Sequence, residues 1–150
     1  MAGLWRMSMM ATAHCLTGCA IGEVAGLAIG TAVGLGAGAT IMLAIVLAFV
    51  FGYGLTMLPL LRSGMALGAA VGVALAADTF SIVMMEIVDN AVMLLVPGAM
   101  AAGLTDGLFW GSLAFALAVA FVAAVPVNRR LIARGKGHAV VHSHHHPQGA

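Results

Sequence analysis

The stretch that decides the fold is Met42–Phe51, MLAIVLAFVF, and it has a counterpart in Leu113–Val125, LAFALAVAFVAAV. Each lies within an apolar segment of about 20 residues, which as a helix is long enough to cross a hydrocarbon core of about 30 Å. The chain of 150 residues is 63% hydrophobic and 7% charged, whereas an average soluble domain is roughly 25% charged. We therefore expect most of its surface to face lipid.

Four such segments follow one another along the chain, and they predict an all-α membrane protein with four transmembrane helices. The expected spans are residues 12–34, 39–60, 68–96 and 107–127, so that residues 1–127 form the membrane domain and residues 128–150 a basic, His-rich tail. The third segment is longer than one crossing requires. It is therefore tilted, or begins with an interfacial turn near Gly68 and Gly72, or is broken near Asp78.

The basic residues indicate how the helices are oriented. Arg6 precedes the first segment, Arg62 follows the second, and Arg129, Arg130, Arg134 and Lys136 follow the fourth. The two other loops, residues 34–39 and 97–106, contain no Lys or Arg. Because cytoplasmic loops are enriched in Lys and Arg, both termini are predicted to be cytoplasmic. The basic residues form no continuous face, so we do not expect nucleic acid as a partner.

Small residues and a weak internal similarity bear on helix packing. Gly22, Gly26 and Gly30 are spaced to let one helix approach another closely. Glu23 and Glu86 occupy similar places in the two halves, and each half ends in Pro-x-x-Arg. This suggests two parallel two-helix repeats, although a chance similarity is an equally good explanation. In that alignment Cys15 corresponds to Asp78.

Acidic residues occur within the predicted spans, where a charge costs about 2.5 to 3.5 kcal/mol. They are Glu23, Asp78, Glu86 and Asp89. No Lys or Arg lies within a span to pair with them. Their partners are therefore expected to be protons, water, hydroxyl groups or metal ions, and the polar faces of the first and third helices are expected to turn towards each other.

Cysteines share a helix face with one of these acids. Cys15, Cys19 and Glu23 recur every four residues, which stacks them along one side of a helix, and His14 is adjacent. Thiolate and imidazole favour soft or borderline ions such as Cu(I) and Zn(II). We predict a metal site formed by His14, Cys15, Cys19, Glu23, Asp78, Glu86 and Asp89. The alternative is that the cysteines are simply small buried apolar residues.

Histidines in the tail are candidate accessory metal ligands: His138, His142, His144, His145 and His146. A His-rich tract can collect metal ions close to a membrane site. A remnant of an affinity tag and a solvated low-complexity end are the alternatives.

Three motifs resemble those of a known family. They are His14-Cys15-x-x-Gly18-Cys19-Ala-Ile-Gly22-Glu23, Met85-Glu86-Ile-Val-Asp89-Asn90 and the segment from Val127 to His138. Together they look like the bacterial integral-membrane family called domain of unknown function 4396, over about residues 10–146. The resemblance implies a bacterial inner-membrane location and implies that the three motifs belong together. It implies no activity.

Three functions are compatible with these observations. The first is a multi-pass inner-membrane protein that handles or transports a soft metal ion, which we expect to be Cu(I) or Zn(II), with copper favoured. The second is a proton or cation relay through the carboxyl groups, and the third is a non-catalytic partner in a membrane assembly. No catalytic motif is recognisable, so we do not expect an enzyme. Because four helices enclose little space, we expect a homo-oligomer if anything is transported.

Overall fold

The computed structural model describes residues 2–134, and four long helices make up most of this part of the chain. The elements are α1 (Ala2–Ala32), α2 (Ala37–Arg62), α3 (Leu67–Leu95), a 3₁₀ turn (Ala99–Ala101) and α4 (Gly107–Ala133). Each of the four helices is long and apolar enough to cross a membrane. The predicted all-α, multi-pass membrane fold is therefore confirmed.

The helices differ from the predicted spans mainly at the ends. Helix α1 begins at Ala2 rather than near residue 12, and α4 continues to Ala133, past the predicted start of the tail at residue 128. Arg130 lies in the last turn of α4, where a positive charge interacts favourably with the helix dipole. Helix α3 is continuous from Leu67 to Leu95, so it is not broken at Asp78.

Short connections make neighbouring helices antiparallel. Glycines with positive φ angles stand in three of the turns: Gly34 (71°), Gly64 (88°) and Gly98 (82°). Other residues rarely adopt this left-handed conformation. One end of the bundle therefore carries Arg6, Arg62 and the arginines of α4, and we call it the basic end. The opposite end carries the α1–α2 and α3–α4 connections, and we call it the far end.

Helices α1 and α2 are held together by backbone contact. A Cβ atom on Gly18 would lie 2.6 Å from the Cα atom of Gly52, and one on Gly22 would lie even closer to the backbone of Ala48. Gly26 faces the backbone of Ala44 in the same way, and Gly30 faces the side chain of Thr40. The glycine spacing therefore serves helix packing, as predicted, and it leaves the other faces of α1 free to contact α3 and α4.

We expect the substitution Gly22→Ala to destabilise the bundle, because the added methyl group would overlap the backbone of Ala48. Overpacking of this kind costs about 1 to 3 kcal/mol. The matched control is Gly54→Ala in α2, where an added Cβ would have no neighbour within 4 Å. Equilibrium unfolding in mixed detergent micelles measures both, and equal stabilities of the two variants would contradict the packing described here.

Candidate intramembrane carboxyl and thiol site

Helices α1 and α3 face each other through three pairs of side chains, which we call the ladder. The pairs are Cys15 with Asp78, Cys19 with Glu86, and Glu23 with Asp89. The Cys15 thiol donates to Oδ1 of Asp78 at 3.5 Å. The Cys19 side chain lies beside the Glu86 carboxyl. Sequence analysis predicted that these two faces meet, and the structure confirms it.

The order of the pairs follows from helix geometry. Residues spaced by four lie on one face of α1, and offsets of eight and eleven from Asp78 stay on one face of α3. Because α2 returns the chain to the basic end, α1 and α3 run in the same direction. The pairs therefore succeed one another from the basic end towards the far end, and Glu23 with Asp89 is nearest the far end.

The ladder is buried within the bundle. Cys15 and Cys19 are each 1% exposed, Asp78 is fully buried, and Glu86 and Asp89 are 6% and 3% exposed. The sequence contains no Lys or Arg between Arg6 and Arg62, or between Arg62 and Arg129. Burying a charge without a partner is costly. Within residues 2–134, the spans therefore offer these carboxyl groups no Lys or Arg as a partner.

Glu23, Glu86 and Asp89 have oxygen atoms without a hydrogen-bond donor among residues 2–134. These atoms are both oxygens of Glu23, Oε1 of Glu86 and Oδ1 of Asp89. The other oxygen of Glu86 accepts from Nδ2 of Asn90 at 3.4 Å, and the same nitrogen donates to the Glu86 backbone carbonyl at 2.9 Å. Two carboxyl groups face each other in the Glu23–Asp89 pair, an arrangement that suits one shared proton or one bridging cation.

A cavity of about 350 Å³ lies against these three acids. Glu23, Glu86, Asp89 and Asn90 form its polar side. Its lining continues to Leu35 and Gly103 in the far-end connections and to Ala37 at the start of α2. The cavity therefore joins the acids to the far end of the bundle. Sequence analysis did not predict it, because its walls come from all four helices and from the 3₁₀ turn.

Two further residues lie near Cys15 and Asp78, the pair closest to the basic end. His14 interacts with the backbone of Leu55 in α2, so the structure does not place it in the ladder with Cys15. The reason is geometric, because adjacent residues of a helix point about 100° apart. Thr56 of α2 was not predicted as a site residue, and its side chain interacts with Asp78.

The predicted metal site has no compact ligand set in the structure. Within residues 2–134, no group of three or more His, Cys, Asp and Glu side chains is arranged to hold a metal ion. Cys15, Cys19 and Met85 nevertheless belong to the same buried cluster, which brings three sulfur atoms into one region. The five tail histidines lie outside the described residues.

A second polar network lies on the basic-end side and was not predicted. Nδ2 of Asn128 donates to Oγ1 of Thr12 at 2.8 Å, and Oδ1 of Asn128 accepts from the hydroxyl group of Ser81. Thr12 in turn donates to the backbone carbonyl of Ser8 at 2.8 Å. Asn128 is 2% exposed, although sequence analysis placed it in the tail. In the sequence, a single neutral polar residue at the end of an apolar segment gives little indication that it is buried.

The ladder predicts which engineered cysteines form a disulfide. In a Cys15→Ser, Cys19→Ser background, Glu23→Cys with Asp89→Cys should cross-link α1 to α3, because the side chains at these two positions face each other and a disulfide forms only between neighbouring residues whose Cβ atoms point towards each other. The control pair is Glu23→Cys with Ile87→Cys, since Ile87 is 63% exposed and points away from the bundle. Mass spectrometry of peptides digested without reductant measures both. Equal cross-linking of the two pairs would contradict the ladder.

Comparison with known proteins identifies a family but no activity. Neither the curated proteins nor the solved structures contain a match to this chain. The family model described as "Domain of unknown function (DUF4396)" matches residues 4–137, which includes the whole ladder, the cavity and Asn128. The match agrees with the resemblance carried by the three motifs. The chain therefore belongs to the DUF4396 family.

Proposed function

We propose that this multi-pass membrane protein exchanges protons, or another small cation, at the buried carboxyl groups of Glu23, Glu86 and Asp89. The observation that carries the proposal is the position of these acids. They lie side by side at the end of a cavity that reaches the far end of the bundle, and four of their oxygens lack donors within residues 2–134. Intramembrane acids arranged in this way are typical of ion and proton pathways.

The cavity gives the acids access to one side of the membrane. A site that needs a cation and is also connected to a water-accessible end can gain or lose that cation. We further propose a bacterial inner membrane with both termini in the cytoplasm, in keeping with the distribution of arginines. In that orientation the cavity faces the periplasm.

The ladder continues the path towards the basic end. From Glu86 it passes to Cys19, then to Cys15 and Asp78, and Thr56 adjoins Asp78. Carboxyl, thiol and hydroxyl groups can pass a proton between neighbours, whereas a metal ion needs a continuous space wide enough for the ion. The side chains of the ladder therefore favour a proton over a metal ion as the species that moves.

Proton flux into proteoliposomes tests this proposal. With a potassium diffusion potential as the driving force and a pH-sensitive dye inside, Glu23→Gln or Asp89→Asn should lower the flux by about tenfold or more. The matched control is Asp106→Asn. Asp106 accepts from the Gly103 backbone in the α3–α4 connection and lies outside the ladder.

The thiols provide the second comparison in the same assay. The double variant Cys15→Ser, Cys19→Ser should retain most of the flux, because a hydroxyl group donates a hydrogen bond as a thiol does. Flux that falls equally in Asp106→Asn and Asp89→Asn, or that is absent from the wild type, would contradict the proposal.

A soft-metal function is the second candidate, and the observation that favours it is the cluster of Cys15, Cys19 and Met85. Thiolate and thioether sulfur are preferred ligands of Cu(I), and thiolate is also a ligand of Zn(II). In this case Asp78 and Glu86 would accept the thiol protons released when the ion binds. The tail histidines would supply the ion from the basic end.

Elemental analysis of detergent-purified protein separates the two candidates. A soft-metal protein should contain close to one copper or zinc per chain, and the Cys15→Ser, Cys19→Ser variant should lose it while the His-rich tail is retained. Metal content that is equal in both proteins, or absent from both, would contradict the soft-metal function. Assembly as a homo-oligomer or with another membrane protein stays a prediction.

A further inference from the structure

The cavity beside the acids is larger than a proton or a bare metal ion requires. Its volume is about 350 Å³, whereas one water molecule occupies about 30 Å³ in the liquid. Sites for small organic molecules have volumes of about 300 to 1,000 Å³ and are lined mostly by apolar side chains, with a few polar groups that orient the ligand. The cavity belongs to this class by size.

The walls of the cavity are mostly apolar and come from every helix of the bundle. They include Leu27 of α1, Ile41 and Ile45 of α2, Met93 of α3, and Phe109 and Leu113 of α4. A hydrated inorganic cation gains nothing from such walls. A hydrocarbon group gains about 0.8 kcal/mol per buried methylene, which corresponds to about a fourfold change in affinity. The walls therefore suit a ligand with an apolar body.

The polar side of the cavity indicates which chemical group the ligand carries at its other end. Glu86 and Asp89 line the cavity and are more than nine-tenths buried, and each has an oxygen without a donor within residues 2–134. Glu23 adds two more such oxygens. Ionised carboxyl groups only accept hydrogen bonds and repel anions, so the matching group is a cationic donor. A primary ammonium group has one positive charge and three N–H donors.

We propose that the cavity binds an organic ammonium ion, with its nitrogen at Glu23, Glu86 and Asp89 and its apolar body along the walls. This inference rests on the proposed cation exchange at the same acids and names the class of cation. The ammonium ion and the proton then compete for the same carboxyl oxygens. Binding of one releases the other, which is the requirement for exchange of an organic cation against protons.

Equilibrium dialysis of radiolabelled n-alkylammonium ions against detergent-purified protein tests the inference. From methylammonium to hexylammonium, each added methylene should tighten binding by about fourfold until the cavity is filled. Asp89→Asn should weaken hexylammonium binding by about tenfold or more, while Asp106→Asn should leave it unchanged. Partitioning into the micelle is the same for all proteins in the same detergent, so the difference between these two variants isolates the site.

Further ligands and variants test whether binding depends on the charge of the ligand and of residue 89. Unlabelled hexanol, which lacks the charge, should compete with hexylammonium at least tenfold less well than unlabelled hexylammonium does. Asp89→Glu should restore part of the binding lost in Asp89→Asn, which separates a charge effect from misfolding, and size-exclusion chromatography checks that each variant stays folded. Methylammonium and hexylammonium binding with equal affinity, or hexylammonium binding equally to Asp89→Asn and wild type, would overturn the inference.

Different results would contradict the proposed proton exchange and the proposed binding of an organic ammonium ion. Proton flux that depends on Glu23 and Asp89, together with no saturable hexylammonium binding, would overturn the organic-cation inference and leave proton exchange standing. Charge-dependent hexylammonium binding without proton flux would overturn the proposed exchange and support a binding site for amines.

Discussion

The burial of Glu23, Glu86 and Asp89 in an apolar bundle is the constraint on which the rest of the site depends. Each acid would be costly on a lipid-facing surface, so α1 and α3 must turn their polar faces towards each other. The sequence places no Lys or Arg between Arg62 and Arg129, or between Arg6 and Arg62. The spans within residues 2–134 therefore supply no Lys or Arg to balance a charge on these acids, and a cavity leads from the far end to them.

Helix α1 makes this arrangement possible because three of its faces contact three different helices. Its glycines bring the backbone of α2 into contact along one face of α1. Its cysteines and Glu23 face α3, and Thr12 meets Asn128 of α4. A neutral hydrogen-bonded network lies on the basic-end side, as does Asp78, whereas the other three carboxyl groups lie on the far-end side.

The four helices and the polar face of α1 could be predicted from the sequence, because both follow from the spacing of apolar and polar residues. The four-residue spacing of Cys15, Cys19 and Glu23 identified one face of α1, and the apolar segments identified the helices. Three features could not be predicted. The cavity depends on how all four helices meet, the rotation of His14 towards Leu55 depends on which helix lies beside it, and the burial of Asn128 depends on where α4 ends.

The central claim is that buried carboxyl groups of the ladder exchange protons with one side of the membrane. Infrared difference spectroscopy of the protein in lipid, recorded between acidic and alkaline buffer, tests it most directly, because the carbonyl stretch of a protonated carboxyl group is separate from that of a carboxylate. The account predicts a carboxyl band that changes with pH and is altered in Glu23→Gln and Asp89→Asn but not in Asp106→Asn. A spectrum in which no pH-dependent band is altered by either ladder variant would contradict it.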